Sequence, residues 1–307
     1  MDKSLVTLGN TRSVWFPPQF DGTVDNRSLA ATPIEYYDLN GNILSNFHSS
    51  GFFYRHDQRT FLISARHALT GLDCFTDQPY SKTGFLPKKV RVYGAFSNGS
   101  SSSRRSFDLL IRTEDEVPNW LQDPEFNDLN TDIALVEVRE ENHLQIHCVN
   151  DGEDIPLIAN VGFECFVVGY PNKNYFQPHL PIWRRGALGY EPTMPVHDRP
   201  MFLVDATTSE GLSGAAIYQR WHGPAPLRES DGSISIKLES IVTTTLIGVY
   251  GGRLANANQL GEVGYGWYAN RIPMIISQTP VYRPGKPKEL KLSSLTGSFT
   301  IESVPKS

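Results

Sequence analysis

Cysteine is scarce in this chain: 307 residues hold three, Cys74, Cys148 and Cys165, with no Cys-x-x-Cys pair and no histidine cluster beside them. An odd, scattered set makes no disulfide framework and lacks metal-ligand spacing, so free thiols in the interior are expected. Long apolar runs are missing too. No stretch approaches the ~20 residues that span a bilayer, and residues 1–10 lack the roughly 7–15-residue apolar segment of a secretory signal. With neither signal nor disulfide framework, the expected location is a reducing cytoplasm, away from membranes. Positive charge is also short, with 28 Lys+Arg against 33 Asp+Glu and a net charge of -5. The densest basic stretch is the minor one around Lys286-Pro-Lys288, so no nucleic-acid partner is expected. Nor does any segment keep a 3.6-residue apolar period, which argues against a helical architecture.

What is present is the composition of a folded protein: 39% hydrophobic, 20% charged and 11% aromatic. Short apolar or alternating runs recur between turn residues. Examples are Phe61-Leu-Ile63, Lys89-Val-Arg-Val-Tyr93, Ile133-Ala-Leu-Val136 and Phe163 to Val168. Further strands are expected at 183–190, 201–204, 215–218, 233–238, 243–250 and 264–272. Asn40-Gly41 suggests a first hairpin turn, and Ser97-Asn-Gly-Ser-Ser-Ser-Ser103 a surface loop. The pattern predicts an all-β fold of barrels or sandwiches. Residues 1–30 form an N-terminal arm, a boundary falls at 151–156, and residues 280–307 form a C-terminal extension.

Three small features then coincide. Gly211-Leu-Ser-Gly-Ala215 is a tight turn between apolar runs, with glycine on both sides of the Leu212-Ser213 pair. Such a turn can hold a hydroxyl outward while neighbouring N–H groups converge, the geometry of a nucleophile beside an oxyanion site. His67 ends the strand Phe61-Leu-Ile63, and Asp132 begins the most apolar strand of the first half. Taken singly, each has a bland reading: a hairpin turn, a satisfied polar residue at a strand end, a turn-forming aspartate. Together, in the order His, Asp, Ser, they point to nucleophilic catalysis.

These blocks resemble the trypsin-like (chymotrypsin-fold) serine proteases. Gly51-Phe-Phe-Tyr54 with Phe61-Leu-Ile-Ser-Ala-Arg-His-Ala-Leu69 resembles their histidine block. Thr131-Asp-Ile-Ala-Leu-Val136 resembles the aspartate block and Gly211-Leu-Ser-Gly-Ala215 the nucleophile block. Leu246-Ile-Gly-Val-Tyr-Gly-Gly252 resembles the strand that follows. The nearer likeness is to the prokaryotic, disulfide-free members, and it spans about residues 48–275. It implies two packed six-stranded antiparallel β-barrels, 31–152 with His67 and Asp132 and 153–279 with Ser213, and a site in the cleft between them. It implies Ser213 as nucleophile, His67 as general base and Asp132 as its orienting carboxylate. The Gly211 and Ser213 N–H groups would bind the oxyanion. The substrate would be a polypeptide, with no metal or cofactor.

The resemblance has departures. Ala68 stands where secreted members carry a disulfide cysteine, and Ala215-Ala216 replaces a common Gly-Pro. Glu210, beside the oxyanion donor, is expected to face solvent because an unpaired buried carboxylate is costly. Thr207, six before Ser213, maps to the base of the S1 pocket, with Tyr250, Gly251 and Gly252 on one wall and Gly264 or Gly266 on another. A neutral base offers nothing to Arg or Lys, so a small or hydrophobic P1 residue is expected. An α/β-hydrolase is excluded by the order of the three residues and by Ala215 where the G-x-S-x-G elbow needs glycine. A metal hydrolase lacks its H-x-x-x-H pair. The alternative is a restrained or inactive module on the same fold, acting as a binding protein or awaiting a protein activator.

Overall fold

The structure is a computed structural model; it describes residues 6–8, 12–13, 24–37, 41–74, 76–98, 101–113, 115–138, 145–152, 157–173, 179–254 and 263–277. The 280–307 extension, most of the 1–30 arm, and residues 38–40 and 153–156 lie outside these, and with them Asn40 of the expected turn and most of the expected 151–156 boundary. Ten strands build the first sheet: β1 (Val6–Leu8), β2 (Arg12–Ser13), β3 (Ala31–Tyr37), β4 (Ile43–His56), β5 (Arg59–Ser64), β6 (Lys89–Asn98), β7 (Ser101–Leu110), β8 (Leu121–Gln122), β9 (Ala134–Val138) and β10 (Gln145–Ile146). Six more follow: β11 (Glu164–Gly169), β12 (Ile182–Leu188), β13 (Met201–Asp205), β14 (Ala216–Arg228), β15 (Ile234–Arg253) and β16 (Val263–Tyr268). These six close into a barrel in the order β11-β12-β13-β16-β15-β14, whereas the first sheet runs β2-β1-β7-β6-β3-β4-β5-β9-β8, with β10 on β6, and curls without closing. The all-β expectation holds, with one barrel closed and its companion partial.

The continuous apolar strands of the first half have a physical cause. Leu62 on β5 and Ala134 and Val136 on β9 face inward with Phe53, Val90 and Ile111. Their neighbours Phe61, Ile63 and Leu135 face the other way, onto Val168, Tyr218, Val249 and Trp267 of the barrel. A strand whose two faces both meet protein has no polar face to show, so the period-two alternation disappears. Fully burying one such side chain is worth about 1.5–3 kcal/mol, and this shared layer fixes one sheet against the other. A third cluster, with Val167, Phe202, Val204, Ile217 and Tyr250, fills the barrel itself.

Among the described residues, four short α-helices, α1 (Asn26–Ala30), α2 (Arg66–Thr70), α3 (Phe126–Leu129) and α4 (Arg271–Ser277), punctuate the strands. The strand expected at 264–272 ends at Tyr268, and α4 takes over. Its buried Ile272, Ile275 and Ile276 are spaced three and four apart, a short helical stripe. In the serine-rich 97–103 stretch, where a surface loop was expected, residues 97–98 and 101–103 are strand with Asn98 opposite Ser101, because ladder bonds come from the backbone whatever the side chain; 99–100 lie outside the described residues. The separate strands expected at 233–238 and 243–250 are one 20-residue strand, β15. All three cysteines are buried free thiols.

Candidate active site

β5 and β9 pair antiparallel with Ser64 opposite Ala134, so the end of one strand lies beside the start of the other. That register alone brings His67 to Asp132. The His67 N–H donates to Asp132 Oδ1 at 2.8 Å, and its Nδ1–H donates to Oδ2 at 2.6 Å. Asp132 is fully buried, and its carbonyl accepts the Arg66 N–H at 3.2 Å. Burial pulls the His67 pKa down, but the charge and hydrogen bond of Asp132 outweigh it and hold the imidazole above its ordinary value.

The turn around His67 is braced by its neighbour. Arg66 is fully buried, pairs with Asp77, donates to Gln122 Oε1 at 3.1 Å and lies over the Phe126 ring at 4.3 Å. Gly71, at φ 76°, ends the helix in the left-handed region.

Ser213 sits on a turn closed by the Ala215 N–H on the Leu212 carbonyl at 2.8 Å, with Gly214 at φ 83°. A Cβ on Gly214 would collide with Ser64 and with the Ser50 carbonyl, and would come within 2.7 Å of the Ala65 nitrogen. The turn therefore abuts the backbone just before His67. Across the sheet boundary the Ser50 N–H donates to the Ser213 carbonyl at 3.0 Å. Among the described residues, no hydrogen bond joins Ser213 Oγ to the imidazole, and the serine is half-buried.

The peptide geometry beside the serine decides the donors. The Glu210 carbonyl accepts the Asn172 N–H at 2.8 Å, and a trans peptide aims the Gly211 N–H the opposite way. The Gly211 carbonyl is drawn aside by Ser50 Oγ at 2.7 Å. Among the described residues, neither the Gly211 nor the Ser213 N–H donates to a protein acceptor. Gly211 has φ 93°, and a Cβ there would come within 2.5 Å of His48 Cδ2. Only glycine fits both demands. Glu210 is exposed.

Thr207, at the expected pocket base, is exposed; the buried hydroxyl belongs to Thr208, whose Oγ1 and the Tyr250 Oη share a hydrogen bond of 2.7 Å. Tyr250 is 2% exposed, and its ring fills the space a side chain at Gly264 would need. Gly251 and Gly252 lie along the Tyr265 ring, while a side chain at Gly266 would run into Ile217 and Phe202 in the barrel core. Gly266 thus faces the interior, because residues of its parity on β16 point inward.

Two residues escaped the sequence reading. The Tyr80 ring lies over His67 with centroids 4.6 Å apart, carried there by the loop after α2. His48 packs against Gly211 from β4. Neither sits in a motif; only the tertiary fold brings them in. No cluster of three or more His, Cys, Asp or Glu side chains placed to hold a metal occurs among the described residues.

No protein-family model matches the chain, and no curated protein sequence does. Among solved structures it is similar to a thermostable serine protease, AL20, from an extremophilic microorganism, at TM-score 0.42 and 14% identity over 81% of this chain and 96% of that one. It is also similar to a Glu endopeptidase solved in complex with MPD, at TM-score 0.41 and 13% identity over 83% and 95% of the two chains.

Proposed function

We propose that this chain is a serine endopeptidase that hydrolyses peptide bonds through His67, Asp132 and Ser213. One observation carries the reading: a fully buried Asp132 holds His67 by both its N–H groups, against a turn that presents a serine and two unpaired N–H donors. With Nδ1 donating to Asp132, the imidazole keeps Nε2 as its acceptor. Nε2 can then take the Ser213 proton as Oγ attacks the carbonyl carbon, and return it to the leaving amine. Asp132 stabilises the imidazolium that forms. The Gly211 and Ser213 N–H groups receive the oxyanion, and loss of one such donor costs on the order of 3 kcal/mol of transition-state stabilisation. The substrate is a polypeptide with an uncharged P1 residue, because Thr208 and Tyr250 offer hydroxyls and no counter-charge. The working compartment is the cytoplasm.

One feature favours the restrained alternative: Tyr80 covers one face of the imidazole whose other partners are already fixed. A substrate or an activating protein would have to accommodate or displace that ring.

The test is labelling with an alkyl fluorophosphonate, which reacts at a serine that is both activated and served by an oxyanion site. Labelling at Ser213 is expected, and none in Ser213→Ala or His67→Ala. Labelling that survives Ser213→Ala overturns the assignment. A folded protein that never labels shifts the reading to the restrained module.

A further inference from the structure

The first sheet hydrogen-bonds to the oxyanion loop through Ser50. Ser50 is fully buried on β4, and three of its polar contacts reach across to the barrel side. Its N–H donates to the Ser213 carbonyl at 3.0 Å, and its hydroxyl donates to the Gly211 carbonyl at 2.7 Å. The same oxygen accepts the Tyr170 N–H at 2.9 Å, and the Ser50 carbonyl accepts from Ser64 Oγ at 2.8 Å. A Cβ on Gly169 would come within 2.5 Å of Ser50 Oγ, so the barrel leaves room for this hydroxyl by having glycine there.

We propose that Ser50 is the positioning residue of the oxyanion loop. The inference rests on the serine-hydrolase reading above. Gly211 and Gly214 are both at positive φ and carry no Cβ, so the loop's own hold on the Leu212–Ser213 peptide is the Ala215 N–H on the Leu212 carbonyl, and its flanking peptides need support from outside. The Ser213 N–H belongs to the peptide between Leu212 and Ser213. The carbonyls of the peptides on either side, those of Gly211 and Ser213, are the two that Ser50 holds. Clamping both flanks fixes the one between. Removing the hydroxyl leaves the Gly211 carbonyl and the Tyr170 N–H buried and unpaired, and the loop relieves this by turning.

The test compares Ser50→Ala with Val92→Ala, a substitution in the interior of the first sheet. Inactivation by an alkyl fluorophosphonate is resolved into a binding constant and a maximal rate, and the Gly211 and Ser213 amide resonances are followed by NMR. In Ser50→Ala the maximal rate is expected to fall about 10- to 100-fold with binding nearly unchanged, and both amide resonances to move. Val92→Ala is expected to lower the melting temperature yet leave rate and resonances in place. Should Ser50→Ala fail to fold, Ser50→Cys, which fills the site but hydrogen-bonds weakly, carries the same expectation. A Ser50 variant with the wild-type rate and unmoved resonances overturns the proposal. If the wild-type protein does not label at all, the hydrolase reading fails, and the amide resonances alone still decide whether Ser50 sets the loop.

Discussion

Asp132 holds His67 by two atoms of the same residue, Oδ1 on the backbone N–H at 2.8 Å and Oδ2 on Nδ1 at 2.6 Å. A carboxylate can do this because both its oxygens accept. An amide cannot.

Asp132→Asn is therefore expected to keep the fold and lose the chemistry. With its oxygen on the His67 N–H, its NH₂ faces Nδ1 and forces the tautomer that carries its proton on Nε2. That tautomer cannot take a proton from Ser213. Fluorophosphonate labelling should fall by about 10³–10⁴-fold, with a circular-dichroism spectrum like that of the wild type.

The raised pKa of His67 sets a pH dependence. Catalysis needs the neutral ring, so labelling should rise with pH and reach half-maximum above the ordinary 6.5. Stability moves oppositely. A folded pKa above the unfolded one contributes stability that is complete below the unfolded value and lost as pH rises through the folded value. The wild-type advantage over His67→Gln in urea unfolding is expected to be larger below the ordinary histidine pKa of about 6.5 than in alkaline solution, where the ring is neutral in both states. An equal advantage at both would refute the coupling.

Gly214→Ala combines strain with collision. It places a Cβ at φ 83° among Ser64, Ala65 and the Ser50 carbonyl. A loss of about 2–5 kcal/mol is expected from the left-handed conformation and the overpacking together, read from the urea midpoint, with labelling abolished. Gly223→Ala shares the positive φ but meets nothing within 4 Å, and it should show the backbone cost alone.

Arg271 anchors α4 to the first sheet by donating to Asp123 at 2.6 and 2.7 Å and to Glu125 at 2.7 Å. Asp123 is 1% exposed, so Arg271→Ala strands a buried carboxylate. About 3–5 kcal/mol of stability should go. Replacing Arg271 and Asp123 together with Met and Leu is expected to recover most of it; recovery of none would mean that the pair does more than neutralise itself.

The three residues of the proposed triad could be picked out because each is marked locally. His67 and Asp132 sit where an apolar strand ends or begins, and Ser213 sits between residues whose lack of a Cβ is itself a signal. The shared layer between the sheets was half legible. Phe61-Leu-Ile63 shows a buried strand, but a run of apolar residues does not say which neighbour covers each face. The continuity of β15 was misread, since polar residues mark a turn only where the backbone has no ladder partner, and the strand expected to Ile272 was carried past Tyr268 into the start of α4.

Sequence alone thus determined the all-β class, the scarcity of disulfide chemistry and the three residues on which the proposed reaction turns. All of these depend on residue type and near spacing. The tertiary structure decided what depends on meetings across long separations. It laid Tyr80 over His67, bonded the buried Thr208 hydroxyl to Tyr250 while leaving Thr207 exposed, and turned Gly266 into the barrel. It also brought Ser50 to the carbonyls of Gly211 and Ser213. A buried serine on a strand looks like any other until the sheet that covers it is in place, because its hydrogen bonds run to backbone atoms that carry no sequence signature.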